Sequence, residues 1–461
     1  MQKYISQHCY YWLYVIITLF NLACTNYTSV RNLEGSKSIQ KIDAVQVNFI
    51  GHWLNEGKKE LLLKEQINEF EFTNQDIKVY MKFPEDVYFD RRKDNSEFLF
   101  NAGAVTAAKP EWDIIRLNNE CPRVAKILND PNWTKKYLVD FSEIPEFRKN
   151  TRPELLSDTV KALYGGIIPG PFIDGYNWVL WVNTVVAKKI GIEVKQFDMT
   201  FEDFLGYLRA TNDYNKSHND YIIPMYEANN WLTTHTLTEM LYFSEFGNYD
   251  EINDGKYSEK KLNAWDKTLH EIERAREFKP VTQDWRKTTW TETVDYPLKG
   301  KCLFYLNASW MYNMWLKIDS TKTRDMLPAE MPVFKTSPAC YGGYFVTWAV
   351  LKNSPHRDQA VKLLMSLNKP DVAEKWARYT KSPTGVKGNL SSVVFGFDKF
   401  ENYQYMMDHK YGKHKFNVFN TASFVFGKEN ENVPSYADSV LLSNMTADKA
   451  MKEIRKQLRR R

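Results

Sequence analysis

The chain has 461 residues, 43% of them hydrophobic and 26% charged, which excludes wholesale disorder and leaves room for two or three domain-sized units. Its net charge of +5 is accounted for by the last ten residues, Lys452–Arg461, which hold six basic side chains and one acid. The body before them is neutral and lacks the basic face that a nucleic-acid groove requires. Aromatic residues make up 15% and include 14 Trp, which implies either heavy cores or a surface that stacks on something.

The N-terminus reads as an export signal, residues 1–23. Lys3 supplies a positive start, and Tyr10–Ala23 is mostly apolar. That run is shorter than the roughly 20 residues a spanning helix needs. It ends Leu22-Ala23-Cys24, which resembles a bacterial lipoprotein signal in which the Cys is acylated, although Asn21 stands where a Leu is usual. Cys24 is therefore the expected lipidation site, with ordinary cleavage nearby as the alternative. Residues 24–41 are polar and unpatterned and suit a tether. Cys121, Cys302 and Cys340 match no metal or redox spacing and are expected as buried small hydrophobes, with room for one disulfide.

Val45, Val47 and Phe49 alternate with polar residues as a first strand. A turn at His52–Gly57 leads into a helix with Leu63, Ile67 and Phe70 on one stripe, then Ile77–Lys82 alternates as a second strand. Trp112–Leu117 is a third. Strand, helix, strand in this order implies parallel pairing and an α/β sheet. Gly165–Pro171 is the densest Gly/Pro stretch and marks a lobe boundary before a strand at Trp178–Val186. Thr200 and Asp203 fit an N-cap pair. Asn212–Tyr221 reads as a polar loop and Lys301–Leu306 as a strand leading to Asn307-Ala308-Ser309-Trp310. A second punctuated stretch, Ser337–Gly343, precedes the apolar run Tyr344–Leu351. Ser354-Pro355 then opens a helix. Val372, Trp376 and Tyr379 share one helical stripe, and the amphipathic segment Thr446–Leu458 follows near the C-terminus.

No phosphate loop, dinucleotide fingerprint, nucleophile elbow or His-Glu-x-x-His occurs in the sequence. No local pair of acids stands out as a glycosidase pair. The pattern favours binding over catalysis, with no cofactor and no metal expected.

Five stretches in order carry a family likeness: GKKELLLKEQINEFEFTNQDIKVY, KPEWDIIRLNNE, NWVLWVNTVVAKKIGIEVKQFDMTFEDFLGYL, GKCLFYLNASW and CYGGYFVTWAVLKNSPHRDQAVKLLMSL. Together they resemble an extracellular solute-binding protein of the ABC-transporter sugar-binding family (family 1, maltose-binding-protein-like). Pro110-Glu111-Trp112-Asp113 departs from the family pattern by inserting residues. The resemblance implies an α/β, two-lobed periplasmic-binding-protein-like (type II) fold with a ligand cleft between the lobes. It places the first lobe at Ile42–Ile168 plus Tyr344–Val394, and the second at Pro169–Gly343 plus Phe395–Arg461. The last crossing, near Gly388–Phe397, rests on the resemblance alone. It further implies a monomer, exported and anchored through Cys24, that holds a carbohydrate and passes it to ABC permease subunits in the membrane.

A sugar offers an apolar C–H face and a rim of hydroxyls, so its site needs an indole for the first and Asn, Asp, Glu or Arg for the second. Carried over position by position, the resemblance makes Trp310 the stacking candidate, with core packing as the alternative. Trp231 and Glu227 lie on a polar loop, and Trp53 follows the first strand. Asn118, Asn119 and Glu120 end the third strand, where ligands of open α/β sheets gather, or else cap a turn. Asp174 and Trp178 lie just past the first crossing, and Gly342 and Gly343 at the second, where backbone can approach a ligand. Trp181 and Trp348 are expected in the core. The same fold could instead hold iron, a polyamine or a peptide, with Tyr226 and Tyr341 as iron ligands. A lipid-anchored carbohydrate-processing enzyme is the reading from another class. The basic C-terminal segment fits contact with anionic lipid headgroups, or simply a solvated helix end that suits the helix dipole.

Overall fold

The computed structural model describes residues 44–54, 56–87, 96–117, 121–226, 233–247, 251, 257–282, 290–335, 340–388, 403, 407, 415–416, 433–443 and 445–459. The chain begins with a strand–helix–strand unit: β1 (Val45–Ile50), α1 (Lys58–Thr73) and β2 (Ile77–Lys82). β1 and β2 pair in parallel from Val45↔Ile77 to Ile50↔Lys82, because α1 buries Leu62, Leu63, Ile67 and Phe70 on the sheet and returns the chain to the same end. Helix α2 (Ser96–Thr106) precedes β3 (Ile114–Arg116), which pairs in parallel with β1 through Phe49↔Ile114.

The long strand β4 (Asp174–Asn183) opens the second half, followed by α3 (Phe201–Ser217), β5 (Ile223–Tyr226), α4 (Thr233–Phe246) and α5 (Glu259–Arg276). Then come β6 (Cys302–Ala308), α6 (Met311–Ile318), β7 (Met326–Ala329) and β8 (Cys340–Phe345). The chain returns through β9 (Trp348–Val350), α7 (Arg357–Leu367) and α8 (Pro370–Thr380), and continues to β10 (Lys415–Phe416), α9 (Val433–Leu442) and α10 (Ala447–Arg459). Two sheets result. One has the order β2-β1-β3-β9; the other runs β10-β8-β4-β6-β5, with β7 also on β4.

Each sheet has its own core. Val47, Phe49, Ile114, Trp348 and Leu363 belong to the first, together with Ile173 and Tyr344. Every residue of β4 is buried, and its two faces separate with period two: Tyr176, Trp178, Leu180 and Val182 join the core under α3–α5, while Val179 and Trp181 join another with Tyr305 and Trp315. Core membership changes between Ile173 and Tyr176, a few residues after the Gly/Pro stretch, and changes back over Tyr344–Val346, where Tyr344 and Val346 join the first core and Phe345 packs on the second.

Several local expectations differ from the fold for identifiable reasons. The segment Asn212–Ser217 is helical and not loop, since Asn215 anchors it by accepting from the Ile222 N–H and donating to its carbonyl. β4 starts four residues before Trp178, where it pairs with β8, and ends at Asn183, whose side chain accepts from Val186 N–H and caps a helix. Pro355 lies just outside α7: Ser354 is held by a hydrogen bond of 2.5 Å to Asp113, and the helix begins after His356. Tyr379 is 48% exposed although Val372 and Trp376 on the same helix are buried. The Thr200–Asp203 capping box is present, and Trp181 and Trp348 are fully buried. Cys121 and Cys302 are buried free thiols, and burial pushes the Cys121 thiol up to about 12.

Candidate ligand-binding site

The carboxyl ends of both sheets' parallel strands meet at the crossing strands. In the first sheet, Arg116 at the end of β3 pairs with Trp348, three residues after β8 ends. In the second, Ala308 at the end of β6 pairs with Trp178, four residues after β4 begins. β4 and β8 join the two ends by antiparallel pairing from Asp174↔Phe345 to Asn177↔Gly342. Ligands in α/β sheets collect beyond strand carboxyl ends, so this junction is the candidate site.

On the first-sheet side the wall is charged. β1 runs into Gly51-His52-Trp53, and Trp53 adopts φ of 68°, a left-handed conformation that costs a non-glycine residue about 1–2 kcal/mol. Packing holds it there, with ring centroids 4.8 Å from Trp376 and 5.2 Å from Trp348. Trp53 is 3% exposed, and the Lys59 ammonium lies 5.4 Å from its ring centroid. That ammonium also meets Asp174 at 2.6 Å, both side chains being buried, and Trp376 Nε1–H donates to the other Asp174 oxygen at 3.2 Å. Asp174 is thus tied to α1 and α8 at once.

Arg116 grips Glu97 of α2 through two bonds of 2.8 and 2.6 Å and donates to His52 Nδ1 at 3.0 Å. A guanidinium only donates, so His52 Nδ1 must carry the lone pair and Nε2 the proton. Burial and the neighbouring Arg116 and Lys59 charges hold the imidazole well below its ordinary range, hence neutral. Glu56, half-buried in the turn before α1, has its carboxyl pushed up to about 7. Burial is the main cause; Asp174 adds to it and Lys59 opposes it.

The second-sheet side is aromatic. Trp310, half-buried between β6 and α6, lies 5.3 Å from Tyr176 and 5.7 Å from Trp178 between ring centroids, and Phe345 lies 6.1 Å from Tyr176. Trp178 is 8% exposed, so it backs Trp310. A Cβ at Gly342 would stand 2.3 Å from the Tyr176 carbonyl oxygen and 2.9 Å from Asn177 Cα, so this glycine makes room for the backbone of β4. Gly343 pairs with Tyr176 in the same ladder. Asn313 on α6 donates to the Thr380 carbonyl at the end of α8, which links elements of the two cores.

The junction therefore brings together Trp53, Asp174, Trp178, Trp310, Gly342 and Gly343. Asn118, Asn119, Glu120, Glu227, Trp231 and Cys24 lie outside the described residues. Sequence reasoning missed His52, Glu56, Lys59, Arg116 and Trp376. Their only local signal was position after a strand or at a helix start, and their partners come from up to 323 positions away, as Trp53 does for Trp376. Tyr226 is buried against Tyr296. Among the described residues no group of three His, Cys, Asp or Glu could hold a metal ion.

A family model described as bacterial extracellular solute-binding protein matches residues 100–394. The chain belongs to that family. The solute-binding protein is accordingly an exported one, and no helix among its described residues is long and apolar enough to cross a membrane. No curated protein matches its sequence. Solved structures share its fold over nearly the whole chain. Maltose-bound MalE3 of T. maritima is 16% identical with a TM-score of 0.64, covering 90% of this chain and 99% of its own. The GacH receptor of Streptomyces glaucescens, solved unliganded and with acarbose, gives 13%, 0.64, 90% and 98% in the same order. A chitin oligosaccharide binding protein gives 15%, 0.64, 91% and 99%. The solute-binding protein has the two-lobed α/β fold of these structures.

Proposed function

We propose that this protein is the extracytoplasmic capture component of an ABC importer, closing on a carbohydrate between its lobes and delivering it unaltered to membrane permease subunits. The observation that carries the reading is the half-buried Trp310, backed by Trp178 and Tyr176, at the carboxyl end of β6. An indole so placed offers a flat apolar face to a sugar ring, and the polar groups of the facing wall suit its hydroxyls. The maltose, acarbose and chitin-oligosaccharide binding in the names of three proteins of like fold supports the same solute class.

In this reading Trp310 stacks, Trp53 and Trp178 support the walls, and Asp174 with Asn118, Asn119, Glu120, Glu227 and Trp231 supplies the remaining contacts. The lobes divide where core membership changes, within β4 and again at the end of β8. Ligand that touches both walls favours the closed arrangement. No catalytic step is needed, and acylation at Cys24 would keep the protein at the membrane. The test is titration of intrinsic fluorescence with malto- and chito-oligosaccharides, ferric citrate, spermidine and a short peptide. Saturable quenching by an oligosaccharide, with the sugar recovered intact, supports the proposal; response only to a non-sugar, or product release, rejects it.

A further inference from the structure

Helix α10 divides into two opposed faces. Ala447, Ala450, Met451 and Ile454 are buried in the core shared with α5 and α9. Lys449, Lys452 and Lys456 recur at i, i+3 and i+7, so they form one stripe, and all three are exposed. At 100° per residue that stripe lies opposite the buried one, and it points directly away from the protein. Among the described residues Lys449 and Lys452 have no ion-pair partner, and Lys456 is 4.0 Å from Glu453. Some other exposed lysines, Lys64, Lys195, Lys216 and Lys267 among them, sit 2.6–2.8 Å from an acid. The charge of this stripe is thus not spent inside the fold. Lys449 lies in the first turn of the helix, where the dipole disfavours a cation, and Lys452 in its middle, so a helix-dipole role, confined to the last turn, reaches Lys456 alone.

We propose that the Lys449–Lys452–Lys456 face docks the protein on anionic phospholipid headgroups of a membrane surface. The argument is charge complementarity. The chain before its last ten residues is neutral, so it neither adds to nor opposes the attraction, and the rigid seating of α10 on α5 presents the three ammonium groups together. Each lysine close to such a surface strengthens binding about fivefold.

The full chain and its K449Q/K452Q/K456Q and K449R/K452R/K456R variants are co-sedimented with vesicles of phosphatidylcholine alone and with phosphatidylglycerol added, at low salt and at about 0.15 M. All three share the same N-terminal residues, so any anchoring through those residues cancels. The parent and the Arg variant should favour the anionic vesicles, and the Gln variant should partition roughly a hundredfold more weakly. The parent's preference should shrink with salt, and thermal melting should be alike for all three. Equal partitioning of parent and Gln variant, or no preference for anionic over neutral vesicles, overturns the proposal. Binding of the parent to an acidic polypeptide but not to anionic vesicles also overturns it.

Discussion

Lys59→Met isolates the buried ion pair at the crossing. The side chains of Lys59 and Asp174 are 3% and 2% exposed, so the carboxylate that remains has no water to replace its partner. The Trp376 indole N–H stays as one neutral donor at 3.2 Å, and a single neutral bond does not compensate a buried charge. Breaking one side of a buried pair costs about 3–5 kcal/mol, whereas replacing both partners by apolar residues of similar size is close to neutral. Lys59→Met should therefore lose about 3–5 kcal/mol, and Lys59→Met with Asp174→Leu should recover most of it. Urea unfolding followed by tryptophan fluorescence reads both, with a coupling energy from the cycle of four proteins. A loss below about 1 kcal/mol for the single variant would mean the pair is hydrated like a surface bridge. A double variant as unstable as the two singles added together would mean the residues do not act on each other.

Trp310→Ala should weaken oligosaccharide affinity at least tenfold, about 1.4 kcal/mol, by calorimetric titration, with thermal stability little changed; undiminished affinity removes it from the site. Glu56 holds its proton more tightly folded than unfolded, so the stability it contributes is present below the ordinary glutamate value and is lost as pH rises through about 7. Glu56→Gln should match the parent near pH 4 and exceed it by about 1 kcal/mol at pH 8, a figure reduced for the half-exposed carboxyl; parallel stability–pH curves refute this. Gly342→Ala should cost more than 2 kcal/mol in urea, because the new methyl meets β4 backbone, whereas Gly103→Ala, with nothing within 4 Å, should stabilise α2 by roughly 0.5–1 kcal/mol. Equal effects at the two glycines would contradict the packing described.

Patterns carried by near neighbours were legible in the sequence. The alternation in β1, the stripe of Leu63, Ile67 and Phe70, and the Thr200–Asp203 box need only a few residues each, and the fold contains them. The boundaries of β4 were not legible, because its first four residues pair with a strand about 170 positions later. Asn212–Ser217 looked like loop by composition, and a long-range bond from Asn212 to Phe278 and a local one from Asn215 to Ile222 keep it helical. The charged wall was hidden for the same reason: Lys59 and Asp174 are 115 positions apart, and nothing local marks either as buried. Trp53 was named through the resemblance as a ligand contact, and its packing on Trp348 and Trp376 was not legible, because those rings lie about 300 positions away.

The tight fit of Gly342 against Tyr176 and Asn177 also fixes what sort of motion the crossing permits. Sliding β8 along β4 by one residue, in the direction that puts Tyr341 in the place of Gly342, would drive a side chain into the space where only a hydrogen now fits. The connection is therefore barred from creeping in that direction. A swing of one half of the molecule relative to the other then has to proceed without shifting these two strands that way.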